Sequence, residues 1–170
     1  MITIRDEQPG DAAEIRDLTT LAFGGPCEAE IIDALRESCP GLVSLVAVEN
    51  DMIVGHILFS PVSIDGSTIP GVSLAPMAVL PEYQRRGIGT NLVRQGIARL
   101  REDGCPFVIV LGHPDYYPRF GFVPASLYGL TSQWEGVSDE AFMVIIIDEN
   151  SMNGAHGVVR YRDEFDVAME

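Results

Sequence analysis

The chain has 170 residues, 46% of them hydrophobic, and a formal net charge of −14 at pH 7. This length and composition suit a single domain over residues 1–170 with a buried core, and they exclude a disordered chain. All 11 basic residues are arginine, and an acidic, lysine-free surface argues against nucleic acid or an anionic membrane as partner. The same charge would attract a cationic amine, although solubility is the simpler explanation.

The sequence contains no apolar run long enough for a membrane helix, and its first residues lack the pattern of a signal peptide. A cytoplasmic protein is therefore expected. Three cysteines and three histidines share no ligand-like spacing, so no metal site is predicted. The cysteines, none of them in a C-x-x-C pair, are interpreted as small buried apolar residues.

The N-terminal quarter predicts one strand and two helices. Ile2–Arg5 is the strand, and Asp11 resembles a helix N-cap with Glu14 three residues later, close to a capping box. Apolar residues at helical spacing follow up to a Gly-Gly-Pro break at residues 24–26. A second helix contains Ile31 and ends before Cys39.

The next segment predicts three strands. Leu42–Val48 and Met52–Phe59 flank an Asn-Asp turn and are predicted to form a hairpin, and Val72–Leu80 is a third apolar run. Pro76 lies inside that run and removes a ladder donor, which indicates a break or bulge in the pairing. A helix then carries an apolar face from Ile88 to Leu100.

The last third predicts further strands. Phe107–Leu111 is short and wholly apolar, as expected of a strand buried on both faces. A turn with one helical turn follows, then a buried strand at Ala141–Ile147, a polar loop at Asp148–Gly157 and a final strand at Val158–Tyr161. The order β-α-α-β-β-β-α-β-α-β-β predicts an α/β (α+β) fold with a mixed sheet and helices on its faces.

The most informative segment is Gln84–Thr90, which joins the predicted strand Val72–Leu80 to the helix that follows it. Gly87 and Gly89 permit close backbone approach, and a helix N-terminus supplies unsatisfied donors and partial positive charge. Arg85 and Arg86 add charge beside them. The segment lacks the lysine of a P-loop and the third glycine of a dinucleotide fingerprint. It therefore predicts a phosphate-binding turn, the alternative being a helix start eased by glycine.

The sequence resembles the GNAT superfamily of N-acetyltransferases over nearly its whole length. Gln84–Gly89 is similar to the family's Q/R-x-x-G-x-G/A signature, and Ile4–Phe23 resembles its first strand and helix. Met52–His56 resembles its x-x-x-G strand, and Tyr117–Phe122 its Y-x-x-x-G-F segment. The Tyr-Tyr pair before R-F-G-F resembles a bacterial subset. The resemblance implies a mixed, mostly antiparallel central sheet flanked by helices, with a splayed parallel strand pair that holds CoA.

The resemblance further implies acetyl-CoA as co-substrate, without a metal. The pyrophosphate would bind main-chain N–H groups of the phosphate turn, and the pantetheine and acetyl group would follow the preceding strand. The implied cofactor-binding residues are Met77, Ala78, Val79, Gln84, Arg85, Arg86, Gly87, Ile88, Gly89 and Thr90. The N–H of Val79 would be the donor to the oxyanion.

The resemblance places Tyr117 at the family's catalytic tyrosine, which protonates the departing sulfur. A phenol with a pKa of ~10 keeps its proton at neutral pH and can hydrogen-bond a thiolate whose parent thiol has a pKa of ~8.5. The alternative is that Tyr117 only packs in the core, as buried tyrosines do. Tyr116 is the second candidate. Trp134 could line an acceptor pocket, although core packing is the simpler role.

The acceptor site and the general base are less defined by the sequence. Glu28 and Glu30 precede the second predicted helix, where the family often builds its acceptor site, and are predicted to bind a cationic amine. The general base remains open among Glu82, Glu28, Glu30, His56 and His113. For each of these, a solvated or packing role is the simpler explanation.

The predicted function is direct transfer of an acetyl group from acetyl-CoA to a primary amine of a small molecule or peptide. The alternative is a non-catalytic CoA or acyl-CoA sensor or scaffold with the same fold. A transferase of longer acyl groups shares every motif. A homodimer is common in the family, but no segment of the sequence specifies its interface.

Overall fold

The computed structural model describes residues Met1 to Met169. They form two compact units. The first comprises Met1–Phe59, Ala75–Ala98 and the residues from Glu164 onward, and the second comprises Ser60–Leu74 and Arg99–Asp163. Three elements contribute residues to both units, and the single domain expected from length remains a prediction.

The first unit contains the N-terminal elements and the start of the central helix. Its strands and helices are β1 (Thr3–Asp6), α1 (Ala12–Phe23), α2 (Cys27–Ser38), β2 (Val43–Glu49), most of β3 (Met52–Ile64), the end of β4 (Gly71–Val79) and most of α3 (Ile88–Glu102). β1 pairs antiparallel with β2, which pairs antiparallel with β3. Both helices α1 and α2 bury apolar residues at helical spacing, including Ile15 and Leu35 at 0% exposure.

Helix α3 lies close to β3 because two glycines leave room for it. A Cβ added to Gly55 would lie 3.1 Å from side-chain atoms of both Ile88 and Leu92. A Cβ added to Gly96 would lie 2.4 Å from the Phe59 ring, where no real Cβ could fit without displacement. Because neither position carries a side chain, α3 packs closely against β3. This close packing positions the N-terminus of the helix.

The second unit contains the remaining strands and a short helix. Its further elements are β5 (Phe107–Leu111), β6 (Val123–Pro124), β7 (Leu130–Ser132), β8 (Phe142–Ile146), α4 (Glu149–Met152) and β9 (Gly157–Arg160). β8 pairs antiparallel with β5 and β6, and β9 pairs antiparallel with the end of β3 and parallel with β7. β5 is buried on both faces, as its apolar sequence predicts.

A short parallel ladder joins β4 to β5. Its registered pairs are Val72 with Val108 and Ser73 with Ile109, both within the second unit. Beyond this ladder β4 passes Pro76, whose peptide bond with Ala75 is cis, and continues to Val79 in the first unit. The predicted mixed, mostly antiparallel sheet with flanking helices and a parallel strand pair is confirmed.

Several local predictions differ from the structure. Asp11 does not cap α1, because it has helical φ and ψ and follows a 3-10 turn; its carboxylate instead accepts from Arg5 and from the Gln8 N–H. Glu14 accepts a 2.7 Å hydrogen bond from the main-chain N–H of Ile53, so the predicted capping box is wrong. The loop predicted at residues 148–157 contains α4, whose N-terminus Asp148 caps. β6 and β7 were not predicted.

Candidate functional site

The turn before α3 has an unusual backbone. After a 3-10 turn at Pro81–Tyr83, Arg85 has a φ of 66° and Gly87 a φ of 80°, both in the left-handed region. α3 begins at Ile88, and the N–H of Asn91 donates to the carbonyl of Gly87. The first N–H groups of an α-helix have no partner within it. The chain therefore presents these donors at a turn whose residues from Gln84 to Gly87 are exposed.

The turn is attached to the end of β4. The side-chain amide of Gln84 donates a 3.0 Å hydrogen bond to the carbonyl of Val79. The N–H of Leu80 donates to the carbonyl of Val54 on β3 at 2.9 Å. Met77 and Val79 are half-buried while Ala78 between them is buried, as expected of an alternating strand. One hydrogen bond therefore joins a predicted cofactor residue of β4, Val79, to one of the turn, Gln84.

The charge at the turn is positive although the chain is acidic. Arg85 and Arg86 are both exposed, and the Arg86 guanidinium lies 4.9 Å from the centre of the Tyr83 ring. This cation–π contact orients Arg86 without neutralising it. Together with the partial positive charge of the helix N-terminus, the arginines make this turn suited to an anionic group.

Tyr117 lies in the second unit, in a 3-10 turn that follows β5. The main-chain N–H groups of Tyr116 and Tyr117 both donate to the carbonyl of His113. Edge-on contacts surround the Tyr117 ring at centroid distances of 5.1 Å to Tyr116 and 5.6 Å to Phe122. A Cβ at Gly112 would lie 2.5 Å from the ring, so this glycine is required for the close packing. Burial raises the pKa of Tyr117 to about 12, and the neighbouring Tyr116 contributes in the same direction.

Sequence reasoning missed a second buried tyrosine in this unit. Tyr161 follows β9, and its ring contacts Trp134 edge-on at a centroid distance of 4.8 Å. Its N–H donates to the side-chain carbonyl of Gln133 at 2.6 Å. Burial raises the pKa of Tyr161, and the proximity of Tyr117 adds to the increase. Trp134 therefore packs against a tyrosine that neighbours the predicted acid, a relationship that no local motif reveals.

The two predicted acceptor residues lie in the first turn of α2. The Oε2 atom of Glu28 is buried and has no hydrogen-bond partner among residues 1–169. Glu30 is exposed. A buried carboxylate oxygen without a donor is unfavourable unless a ligand supplies one, so Glu28 has the environment of a ligand-binding group and Glu30 has that of a surface residue.

The remaining general-base candidates occupy different environments. Glu82 and His113 are exposed, whereas His56 is 1% exposed within β3. Burial lowers the pKa of His56 to about 4, with the Arg36 charge acting in the same direction and Glu7 opposing both. His56 is therefore neutral at physiological pH and a weak base.

The part of the chain that the structure describes contains no group of three or more side chains able to hold a metal ion. All three cysteines are free, and Cys39 is buried. Across Met1–Met169 no helix has both the length and the apolar character needed to cross a membrane.

Comparison with known proteins identifies the family. The family model described as acetyltransferase (GNAT) domain matches residues 3–125. The uncharacterized N-acetyltransferase YhbS of Escherichia coli (strain K12) is 36% identical over 163 residues, covering 95% of this chain and 97% of that protein. The uncharacterized N-acetyltransferase YjhQ of the same strain is 45% identical over 120 residues, covering 68% of this chain and 66% of YjhQ.

Solved structures agree with the sequence relatives. The crystal structure of E. coli YhbS in complex with CoA has a TM-score of 0.92 at 35% identity, over 97% of this chain and 92% of that chain. A GNAT family acetyltransferase from Brucella melitensis in complex with acetyl-CoA has a TM-score of 0.81 at 38% identity, over 98% of this chain and 99% of that chain. The chain therefore belongs to the GNAT family, the acetyl-CoA-dependent N-acetyltransferases.

Proposed function

We propose that the protein transfers the acetyl group of acetyl-CoA directly to a primary amine of a small molecule or peptide. The observation that carries this proposal is the exposed turn at Gln84–Gly87, which leads into the N-terminus of a 15-residue helix and is tethered to the end of β4. The YhbS and B. melitensis structures, which hold CoA and acetyl-CoA, support the identity of the donor.

The proposed donor site uses the predicted residues in two groups. Main-chain N–H groups of Arg86, Gly87, Ile88, Gly89 and Thr90 bind the pyrophosphate, with Arg85 beside it. The pantetheine and the thioester follow the main chain of Met77, Ala78 and Val79, and the N–H of Val79 donates to the oxyanion. Gln84 supports this arrangement because its amide holds the Val79 carbonyl, which restrains the peptide plane between Val79 and Leu80 at the end of β4.

The chemistry is the exchange of a C–S bond for a C–N bond. A neutral amine attacks the thioester carbonyl and a tetrahedral oxyanion forms, whose cationic nitrogen gives one proton to solvent. Collapse of the intermediate forms the amide and breaks the C–S bond, with the CoA thiolate as leaving group. Tyr117 is proposed to donate its phenolic proton to that sulfur. The raised pKa of Tyr117, about 12, keeps the phenol protonated before the step, so the O–H is present as a donor to the sulfur, and it argues against a role as base.

Glu28 is proposed to bind the acceptor, with Glu30 adding negative charge at the same helix turn. The buried, unpartnered Oε2 of Glu28 supports a cationic or N–H-donating acceptor, and the net charge of −14 favours the approach of an amine. Later turns of the same helix are held by ion pairs, of Asp33 with Arg16 and of Arg36 with Glu7. A cytoplasmic location and a homodimer remain predictions.

Release of free CoA thiol tests this function. Purified protein is mixed with acetyl-CoA and with polyamines, amino acids, aminoglycosides or peptide amines, and thiol formation is followed with each. We expect amine-dependent release with at least one class. Saturable acetyl-CoA binding without thiol release from any class would favour the alternative, a CoA-binding sensor or scaffold.

A further inference from the structure

The first unit buries a connected polar cluster, here called the His56 cluster, formed by Glu7, Arg36, Ser44 and His56. Nε2 of His56 lies 2.8 Å from Oγ of Ser44, and that Oγ lies 2.6 Å from Oε1 of Glu7. Arg36 donates to both carboxylate oxygens of Glu7, at 2.7 and 3.1 Å. The four residues come from α2, β2, β3 and the chain after β1.

The donor and the acceptor of each hydrogen bond in this cluster can be assigned. Burial opposes ionisation of Glu7, but hydrogen bonds from Arg36 and Ser44 outweigh it and lower the pKa of the carboxyl. An ionised carboxylate only accepts, so the single hydroxyl proton of Ser44 goes to Glu7. Oγ of Ser44 must then accept from Nε2–H of His56. The ring is therefore the Nε2–H tautomer, and its Nδ1 carries a lone pair.

That lone pair has no donor in the part of the chain that the structure describes. Nδ1 of His56 is buried, and no group among residues 1–169 donates to it. The flipped orientation of the His56 ring is not an alternative. After a rotation of 180° a carbon would face Oγ of Ser44, and the 2.8 Å hydrogen bond would be lost. A buried acceptor without a donor is costly and rare in folded proteins.

The cluster does not have the arrangement of a hydrolase triad. In a triad the carboxylate accepts from Nδ1 of the histidine, and Nε2 accepts from the serine. Here the carboxylate takes the serine proton, and Nδ1 contacts neither group. Ser44 is therefore not activated as a nucleophile, and the unused property of the cluster is the acceptor at Nδ1.

We propose that Nδ1 of His56 is a binding site for one neutral hydrogen-bond donor, an O–H or N–H group from outside the chain. Anions are excluded by the lone pair, and the Arg36 charge and the low basicity of the ring disfavour cations. An ordered water molecule has this chemistry, and so do the amide and hydroxyl groups of acetyl-CoA. Val54, two residues before His56 on β3, accepts from the N–H of Leu80, so the main chain near His56 contacts the residue that follows the strand proposed to hold acetyl-CoA.

Long-range 1H–15N correlation spectra of protein labelled with 15N-histidine, recorded at neutral pH, test the proposal. We expect His56 to be protonated at Nε2, with Nδ1 unprotonated and shifted as a hydrogen-bond acceptor. If the ligand-free protein already shows that shift, the donor is water. If the shift appears only after saturation with acetyl-CoA, the donor is a group of the co-substrate. A protonated Nδ1, or the shift of a free lone pair in both samples, would overturn the site.

Two substitutions at Ser44 provide the matched control. Ser44→Thr keeps the hydroxyl and should keep the Nε2–H tautomer, whereas Ser44→Ala removes the acceptor for Nε2–H and should produce a mixture of tautomers. An Nδ1–H tautomer in folded Ser44→Thr protein, which keeps the hydroxyl, would contradict the proton direction argued above. The wild-type spectrum decides the proposal even if a variant fails to fold. None of these readouts requires turnover. The acetyl-CoA arm rests on the proposed function, whereas the tautomer and the spectrum of the ligand-free protein do not.

Discussion

The side-chain amide of Gln84 holds the main-chain carbonyl of Val79 at 3.0 Å, across the 3-10 turn that separates β4 from α3. This hydrogen bond connects the two parts of the proposed acetyl-CoA site, the turn that would bind phosphate and the strand that would bind the thioester. Because Gln84 is exposed, its hydrogen bond is expected to shape the site more than it stabilises the fold.

Gln84→Ala should weaken acetyl-CoA binding about fivefold, since a hydrogen bond of this kind contributes about 1 kcal/mol. Calorimetric titration measures the change. Gln95→Ala is the matched control, because Gln95 is an exposed glutamine on α3 outside the proposed site. Equal affinities for wild type and Gln84→Ala would show that the tether does not organise the site.

Gly87→Val should abolish measurable acetyl-CoA binding. The φ of Gly87 is +80°, which a β-branched residue adopts only with strain, and a Cβ there would project into open space at the proposed phosphate site. Gly104→Val is the control, since Gly104 has a φ of +77° with nothing within 4 Å and lies outside the site. Both variants should lose stability by about 1–2 kcal/mol from backbone strain, but only Gly87→Val should lose affinity. Comparable affinity in the two variants would contradict a role for the Gly87 backbone.

Tyr117→Phe should lower kcat by about 100-fold and leave the Kd for acetyl-CoA nearly unchanged, because only the proton donor is lost. Since the pKa of Tyr117 is raised to about 12, the wild-type rate should show no loss attributable to this phenol between pH 7 and about 10. Steady-state kinetics over that pH range provide the measurement, with Tyr116→Phe as the control. A Tyr117→Phe enzyme with the wild-type kcat would exclude the acid role.

Glu28→Gln should raise KM for the acceptor amine with a smaller effect on KM for acetyl-CoA, because the buried carboxylate oxygen would no longer carry charge for the amine. Glu30→Gln should change the acceptor KM much less, since Glu30 is exposed and its charge is screened by solvent. Once an acceptor is known from thiol release, both constants follow from the same assay. The reverse order of the two effects would assign the acceptor site to Glu30 instead.

The stability of the protein should decrease as the pH falls from about 6.5 toward 4. The pKa of His56 is about 4 in the folded protein and 6.5 as an unperturbed group, so the unfolded chain binds the additional proton over this range. The free energy of unfolding is expected to decrease by about 3 kcal/mol, because each unit of difference between the two pKa values corresponds to about 1.4 kcal/mol. Glu7, whose pKa is also lowered, adds a further loss at lower pH.

Urea unfolding at a series of pH values measures this dependence. His56→Gln should flatten the curve between pH 6.5 and 4, whereas His156→Gln should leave it unchanged because His156 is exposed. A wild-type curve without slope over this range would show that His56 takes up its proton equally well in the folded protein.

The sequence was sufficient to predict features that depend on neighbouring residues. The apolar run Phe107–Leu111 predicted a strand buried on both faces, and it is one. The glycines and arginines of residues 84–89 predicted a special turn at the start of a helix, and the structure has left-handed backbone at Arg85 and Gly87. These predictions succeeded because local backbone preferences and hydrophobic patterning act over short distances.

Features that depend on distant partners could not be predicted in this way. Asp11 and Glu14 have the spacing of a capping box, but Arg5 and the N–H of Ile53 are better partners for them in the folded chain. The contact of Tyr161 with Trp134 joins residues at the ends of two different strands. Such contacts depend on sheet register, which the sequence does not encode locally.

Calorimetric titration of acetyl-CoA into the wild-type protein is the most direct test of the central claim, that the Gln84–Thr90 turn binds the co-substrate. The account predicts saturable binding of one acetyl-CoA per chain that is lost in Gly87→Val and retained in Gly104→Val. Absence of binding to the wild-type protein at millimolar acetyl-CoA would contradict it.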